Sequence, residues 1–152
     1  MSKASIEVLL SSGVTVIFGR QGVGKTALLL EAAAEHSNRG KTSLVVLRSM
    51  PANEFYDKMM NLGTKYNVEN VAVVKIRDFD GDFSYLTKDA NTFDRVFFEG
   101  IYSEEEFLSL PSFVENFTFE TRVGGVSSED NWADFVGVCI TNSGKEVIED
   151  GK

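Results

Sequence analysis

The stretch Val14-Thr15-Val16-Ile17-Phe18-Gly19-Arg20-Gln21-Gly22-Val23-Gly24-Lys25-Thr26-Ala27-Leu28-Leu29-Leu30 decides how this chain folds. Val14 to Phe18 is a short β-branched run closed by a glycine, the mark of a buried strand. From Lys25 to Ser37 the chain is rich in Ala and Leu, and Gly40 stands just past the end as a stop. A helix that is apolar nearly all round must lie against a sheet.

Working outward, Ser43-Leu44-Val45-Val46-Leu47 reads as a second buried strand. Phe55, Met59 and Leu62 follow at helical spacing, with Pro51 near the start and Gly63 at the stop. Val71 to Ile76 reads as a third strand and Arg95-Val96-Phe97-Phe98 as a fourth, separated by an Asp-rich loop with one helical turn near Ser84 to Lys88. Ser103-Glu104-Glu105-Glu106 has capping-box spacing and opens a helix that Pro111 splits. Phe117, Phe119, Thr121 and Val123 alternate with polar residues and make a fifth strand. Asp134 to Thr141 and Lys145 to Ile148 flank Asn142-Ser143-Gly144 and read as a β-hairpin. Strands alternating with helices predict an α/β fold: a mostly parallel central sheet with helices on both faces and a C-terminal β-hairpin. With no repeat and no linker-like shift in composition, residues 1–152 read as one domain.

Composition narrows the class. With 43% apolar residues and only 2 prolines in 152 residues, a disordered or low-complexity chain is excluded. Cys139 is the single cysteine, so no intrachain disulfide can form, which fits a reducing, cytoplasmic setting. No apolar run approaches the roughly 20 residues of a membrane span, so a membrane is not an expected partner. The net charge of −8, from 23 acidic and 15 basic residues, makes a lone copy a poor nonspecific nucleic-acid binder. Nucleic acid stays a candidate partner through an assembled ring or another protein.

Gly19-Arg20-Gln21-Gly22-Val23-Gly24-Lys25-Thr26 fits G-x-x-x-x-G-K-[ST] at every fixed position, between a strand and a helix as the chemistry requires. Glycines let backbone N–H groups curl around a phosphate, and the helix start adds its positive dipole end. The expected nucleotide-binding set is Gly19, Arg20, Gln21, Gly22, Val23, Gly24, Lys25, Thr26 and Ala27. Lys25 is expected to reach the β- and γ-phosphates of ATP, and the Thr26 hydroxyl to ligate Mg²⁺. A metal held this way needs an acid on a neighbouring strand. Glu99, after Arg95-Val96-Phe97-Phe98, ends an apolar run where ligands gather in open α/β sheets, so Thr26 and Glu99 form the expected metal set. Asp78 ranks second. A surface glutamate opening the next loop is the plain alternative for Glu99.

The run from Gly13 through the P-loop to Leu44-Val45-Val46-Leu47-Arg48-Ser49-Met50 resembles RecA-like ATPases, closest in look to the motor domain of DnaB-type replicative helicases. Ser49-Met50-Pro51-Ala52-Asn53-Glu54-Phe55 is similar to the family's strand end and following helix. Arg122-Val123-Gly124-Gly125-Val126-Ser127-Ser128-Glu129-Asp130, then Ala133-Asp134-Phe135-Val136, is similar to the loop before its late core strand. The resemblance covers about residues 10 to 150, and only the P-loop is specific. It implies self-assembly, a polar sensor at Thr121 and Arg122, and a hairpin cation, Lys145, aimed at a neighbouring copy's nucleotide. Ser49 stands where the family carries its catalytic glutamate; Glu54 and Glu99 are the stand-ins. The expected catalytic set is therefore Lys25, Glu99, Glu54, Arg122 and Lys145.

The leading functional expectation is an ATPase that couples nucleotide use to assembly or to action on nucleic acid. Ser49 motivates a second one, a weakly hydrolysing, nucleotide-gated module that regulates a partner. A small-molecule kinase ranks last, because no Arg-rich lid is visible. Asp78-Phe79-Asp80-Gly81-Asp82 lacks the glycine and glutamate spacing of a calcium loop and reads as solvated. His36 reads as a helix-end residue, Cys139 and Trp132 as core.

Overall fold

A computed structural model of the chain describes residues 3–19, 23–62, 65–76, 92–101, 106, 116–122, 136–141 and 144–148. A helix missed in the sequence, α1 (Lys3–Leu9), precedes strand β1 (Val14–Gly19). After the glycine-rich turn come α2 (Lys25–Asn38), β2 (Ser43–Leu47) and α3 (Ala52–Asn61). A short 3₁₀ turn (Val68–Asn70) leads into β3 (Val71–Lys75), followed by β4 (Arg95–Phe98) and β5 (Phe117–Arg122). Strands β6 (Val136–Thr141) and β7 (Gly144–Ile148) form the expected hairpin. The Asp-rich loop at 78–82, the helix expected from Ser103 on (Glu106 apart), the Gly124-Gly125 loop, Trp132 and the turn residues Asn142 and Ser143 lie outside the described residues.

The sheet order is β3-β2-β4-β5-β1-β6-β7. Every neighbouring pair is parallel except β6 with β7. β1 lies between β5 and β6, so the chain leaves it toward β2 on one side and meets β6 on the other. That is the switch point of an open α/β sheet, where ligands bind beyond the strands' C-terminal ends.

Strand alternation separates two buried faces. Ile17, Val45, Leu47, Phe97, Val138 and Ile140 share a core with Leu28, Leu29 and Leu30 of α2, Phe55 and Met59 of α3 and Leu9 of α1. The opposite face is as dry: Val16, Phe18, Leu44, Val46, Phe98, Phe117 and Phe119 are at most 1% exposed. There Phe117 stacks on Phe119 at 5.3 Å and meets the edge of Phe98 at 6.0 Å. Burying each such ring contributes about 2–3 kcal/mol, so these two layers account for the fold's cohesion.

The end of α2 explains why the apolar run stops. Gly40, at φ +81°, sits past the Arg39 cap. Its N–H donates to Ser37 O at 3.1 Å while Lys41 N–H donates to His36 O at 3.3 Å, a Schellman closure. His36 is buried in the last turn, its Nδ1 2.8 Å from Ser43 Oγ and its ring edge-on to Phe97 at 5.6 Å.

The run Arg95-Val96-Phe97-Phe98 hides a charge. Arg95 is 3% exposed, and its guanidinium donates to Thr118 Oγ1 (2.7 Å), Ser11 O (2.9 Å) and Thr15 Oγ1 (3.2 Å). Burial lowers its pKa to about 10. It ties the α1–β1 turn to β4 and β5 at the end of the sheet away from the glycine-rich turn.

Candidate nucleotide site

The site begins where β1 runs out. At Gly19 an added Cβ would sit 2.8 Å from both Ile140 O and Val23 Cγ2, so only glycine lets β1 turn beside β6. Gly24 caps α2 at φ +103°, a left-handed conformation, with no side-chain cap bond. The first helical bond runs from Leu28 N–H to Gly24 O at 3.1 Å. The N–H groups of Lys25, Thr26 and Ala27 therefore have no acceptor within the helix, the arrangement that receives anions. Arg20, Gln21 and Gly22 lie outside the described residues; Val23 packs against the core.

Lys25 opens α2, is buried, and folds its ammonium back onto Gly19 O at 2.6 Å. The ammonium thus lies against the C-terminal end of β1. Thr26 Oγ1 donates to the carboxylate of Glu120, at 3.0 Å from Oε1 and 3.2 Å from Oε2. Ala27 is exposed in the same turn.

Glu120 was not among the sequence candidates. It lies on β5 opposite Ile17 of β1 and is only 5% exposed. In the sequence it looks like the outward, polar phase of an alternating strand. β5 lies inside a sheet buried on both faces, so its polar phase, Thr118 and Glu120, is buried too. That glutamate in a two-sided strand was the signal available.

Glu99 sits at the C-terminal end of β4, as expected, and is 4% exposed. Its Oε1 accepts from the backbone N–H groups of Arg48 (3.0 Å), Ser49 (3.2 Å) and Met50 (3.2 Å). Its Oε2 accepts from the Ser49 hydroxyl. Glu99 is therefore a brace under the turn between β2 and α3. Arg48 adds to that brace by donating to Gly100 O at 2.8 Å and pairing with Glu106. Lys75 reaches the carbonyl of Arg48 from β3.

The remaining candidates are spread around the same end of the sheet. Glu54 lies exposed in the first turn of α3, where an acid suits the helix dipole. Arg122 ends β5, paired in register with Gly19. Lys145 is exposed at the start of β7, paired with Ile140. Hydrogen bonds join Lys25 to Gly19, Thr26 to Glu120 and Ser49 to Glu99; no described hydrogen bond joins Glu54 or Lys145 to these groups.

The donor set suits a nucleotide and a hard cation. A hydroxyl and a carboxylate beside the start of a helix are what Mg²⁺ on a phosphate uses, since that ion keeps several waters and takes few protein ligands. Among the described residues no cluster of three His, Cys, Asp or Glu forms a metal cage. No described helix is long and apolar enough to cross a membrane.

No family model matches the chain, and no curated protein matches it in sequence. Solved structures do. The chain is similar to the flagellar accessory protein FlaH from Methanocaldococcus jannaschii, with TM-score 0.68, 10% identity and coverage of 91% of this chain and 78% of that one. It is also similar to a KaiC-like protein from Pyrococcus horikoshii OT3, with TM-score 0.66, 15% identity and coverage of 91% and 79%. At such identities the likeness speaks of fold alone: the chain has the α/β, RecA-like architecture.

Proposed function

We propose that the chain binds ATP with Mg²⁺ at the turn between β1 and α2 and hydrolyses it slowly. The observation that carries this reading is the junction itself: Gly19, where an added Cβ would clash, Gly24 in a left-handed conformation, and Lys25 at the start of α2 with its ammonium on Gly19 O. Lys25 would hold the β- and γ-phosphates and Thr26 the metal, whose charge would offset the phosphates. Arg122, beside Gly19, is the sensor candidate.

Slow turnover is supported by the turn after β2. Water attack needs a positioned base. Ser49 occupies the place where the resembled family has its glutamate, and Glu99 is spent on three backbone N–H groups and the Ser49 hydroxyl. This favours the nucleotide-gated module over a fast motor. Lys145 stands at the glycine-rich end of the sheet on an edge hairpin, which suits a cation offered to a second copy's nucleotide. Self-assembly, a cytoplasmic location, the finer likeness to DnaB-type motors and action on nucleic acid belong to the same proposal. The charge of −8 argues against a polyanion grip by a single copy.

The test is ATP binding and turnover by the purified protein with Mg²⁺, with and without single-stranded nucleic acid. The expected result is binding that Lys25→Ala abolishes, with slow turnover. Fast turnover raised by the polymer would replace the gated module with a motor. A folded protein that binds no nucleotide would overturn the reading.

A further inference from the structure

Two buried glutamates stand side by side at the nucleotide end of the sheet. Phe98 of β4 pairs with Phe119 of β5, so Glu99 and Glu120 come next along adjacent parallel strands. Ile101 N–H donating to Glu120 O at 3.0 Å keeps them there. Their side chains are tied to different elements. Glu120 takes the hydroxyl of Thr26 on α2, whereas Glu99 takes three backbone N–H groups and a hydroxyl from the turn after β2.

We propose that Glu120, and not Glu99, is the carboxylate that positions the nucleotide's Mg²⁺ beside Thr26, while Glu99 serves as the latch of the β2–α3 turn. The inference rests on the nucleotide reading above and assigns the work within that site. A threonine hydroxyl has one proton and two lone pairs. Thr26 can therefore keep donating to Glu120 while its oxygen faces a cation, so the bond seen here survives metal binding. The hydroxyl donor fixes the Glu120 carboxylate beside the water shell that Mg²⁺ retains. The Glu99 carboxylate is instead held by three backbone N–H groups and the Ser49 hydroxyl, all from the β2–α3 turn and none from α2.

The assignment is tested by measuring affinity for a fluorescent ATP analogue in Mg²⁺ and in EDTA, for the wild type, Glu120→Gln and Glu99→Gln. Mn²⁺ bound in the ternary complex, counted by electron paramagnetic resonance, gives a second readout. Thermal melts check folding. Loss of a residue that orients a metal ligand typically weakens the metal about 10–100-fold. Glu120→Gln is therefore expected to lose about tenfold or more of the gain in affinity that Mg²⁺ brings, with affinity in EDTA unchanged. Glu99→Gln is expected to keep that gain and to melt earlier. A merely structural role for Glu120 would lower affinity in both buffers alike. Should Glu120→Gln not fold, Glu120→Asp replaces it; the shorter acid is expected to keep part of the gain. An undiminished Mg²⁺ gain in the folded Glu120 variant, or loss of the gain in Glu99→Gln, overturns this assignment alone. Failure of the wild type to bind in either buffer overturns it together with the reading beneath it.

Discussion

Lowering the pH should unlock α2 from β2 through His36. The ring is 8% exposed, hydrogen-bonded to Ser43 and set edge-on against Phe97, and its pKa is lowered from 6.5 to about 4. Burial is the main cause, the Arg95 guanidinium the second, with Lys41 and Arg39 acting the same way and Asp94 opposing them. The folded chain thus holds a neutral ring, while the unfolded chain takes up a proton near 6.5. Stability from this site is fully present above 6.5 and is lost as the pH falls toward 4. The gap corresponds to about 3 kcal/mol once both states are titrated. At about pH 5 the unfolded ring is almost fully charged and the folded one almost neutral, so about 2 kcal/mol is already gone. That is a large part of the ~5–15 kcal/mol that holds a domain together. Urea unfolding of the wild type and His36→Gln at about pH 7.5 and about pH 5 isolates the effect, because glutamine does not titrate. The wild type should lose about 2 kcal/mol more than the variant between the two conditions. Equal losses in both proteins would refute the buried neutral ring.

Gly137→Ala would drive a Cβ to 2.4 Å from Val16 O, so β1 and β6 must part; chemical denaturation should show a loss of at least about 1–3 kcal/mol. Arg95→Met strips donors from Thr118, Thr15 and the carbonyl of Ser11, and should cost on the order of 3 kcal/mol in the same assay while nucleotide affinity stays unchanged. Lys145→Ala should leave ATP affinity of a lone copy intact and lower turnover only under conditions where light scattering shows self-assembly.

The order of elements was legible because each carries its own local signal. β2 over Ser43–Leu47 and β4 over Arg95–Phe98 have the bounds the sequence predicts, since a strand buried on both faces reads as a mostly apolar run with polar residues at its edges. The glycine-rich turn between β1 and α2 was legible for a stronger reason. Its glycines, lysine and threonine are needed at fixed spacing within one stretch of chain. Helix α1 was not legible: Lys3–Leu9 is too short to hold a helix by propensity, and it forms because Leu9 finds a core to enter.

The acids show where sequence stops. From the chain alone, Glu99 follows an apolar run and looks like the metal's partner, while Glu120 looks like the wet side of an alternating strand. Which carboxylate meets Thr26 depends on β5 lying beside β1 and β4 lying one strand further out. That neighbour relation spans a separation of 94 residues between Thr26 and Glu120. Local patterns of burial and backbone freedom were enough to read the strands, the glycine-rich turn and the α/β class from the chain alone. The burial of Arg95 and His36, the bracing of a turn by Glu99 and the meeting of Glu120 with Thr26 arise only once the strands assemble. Charge and hydrogen-bond partners belong to positions in space, and strand order sets those positions.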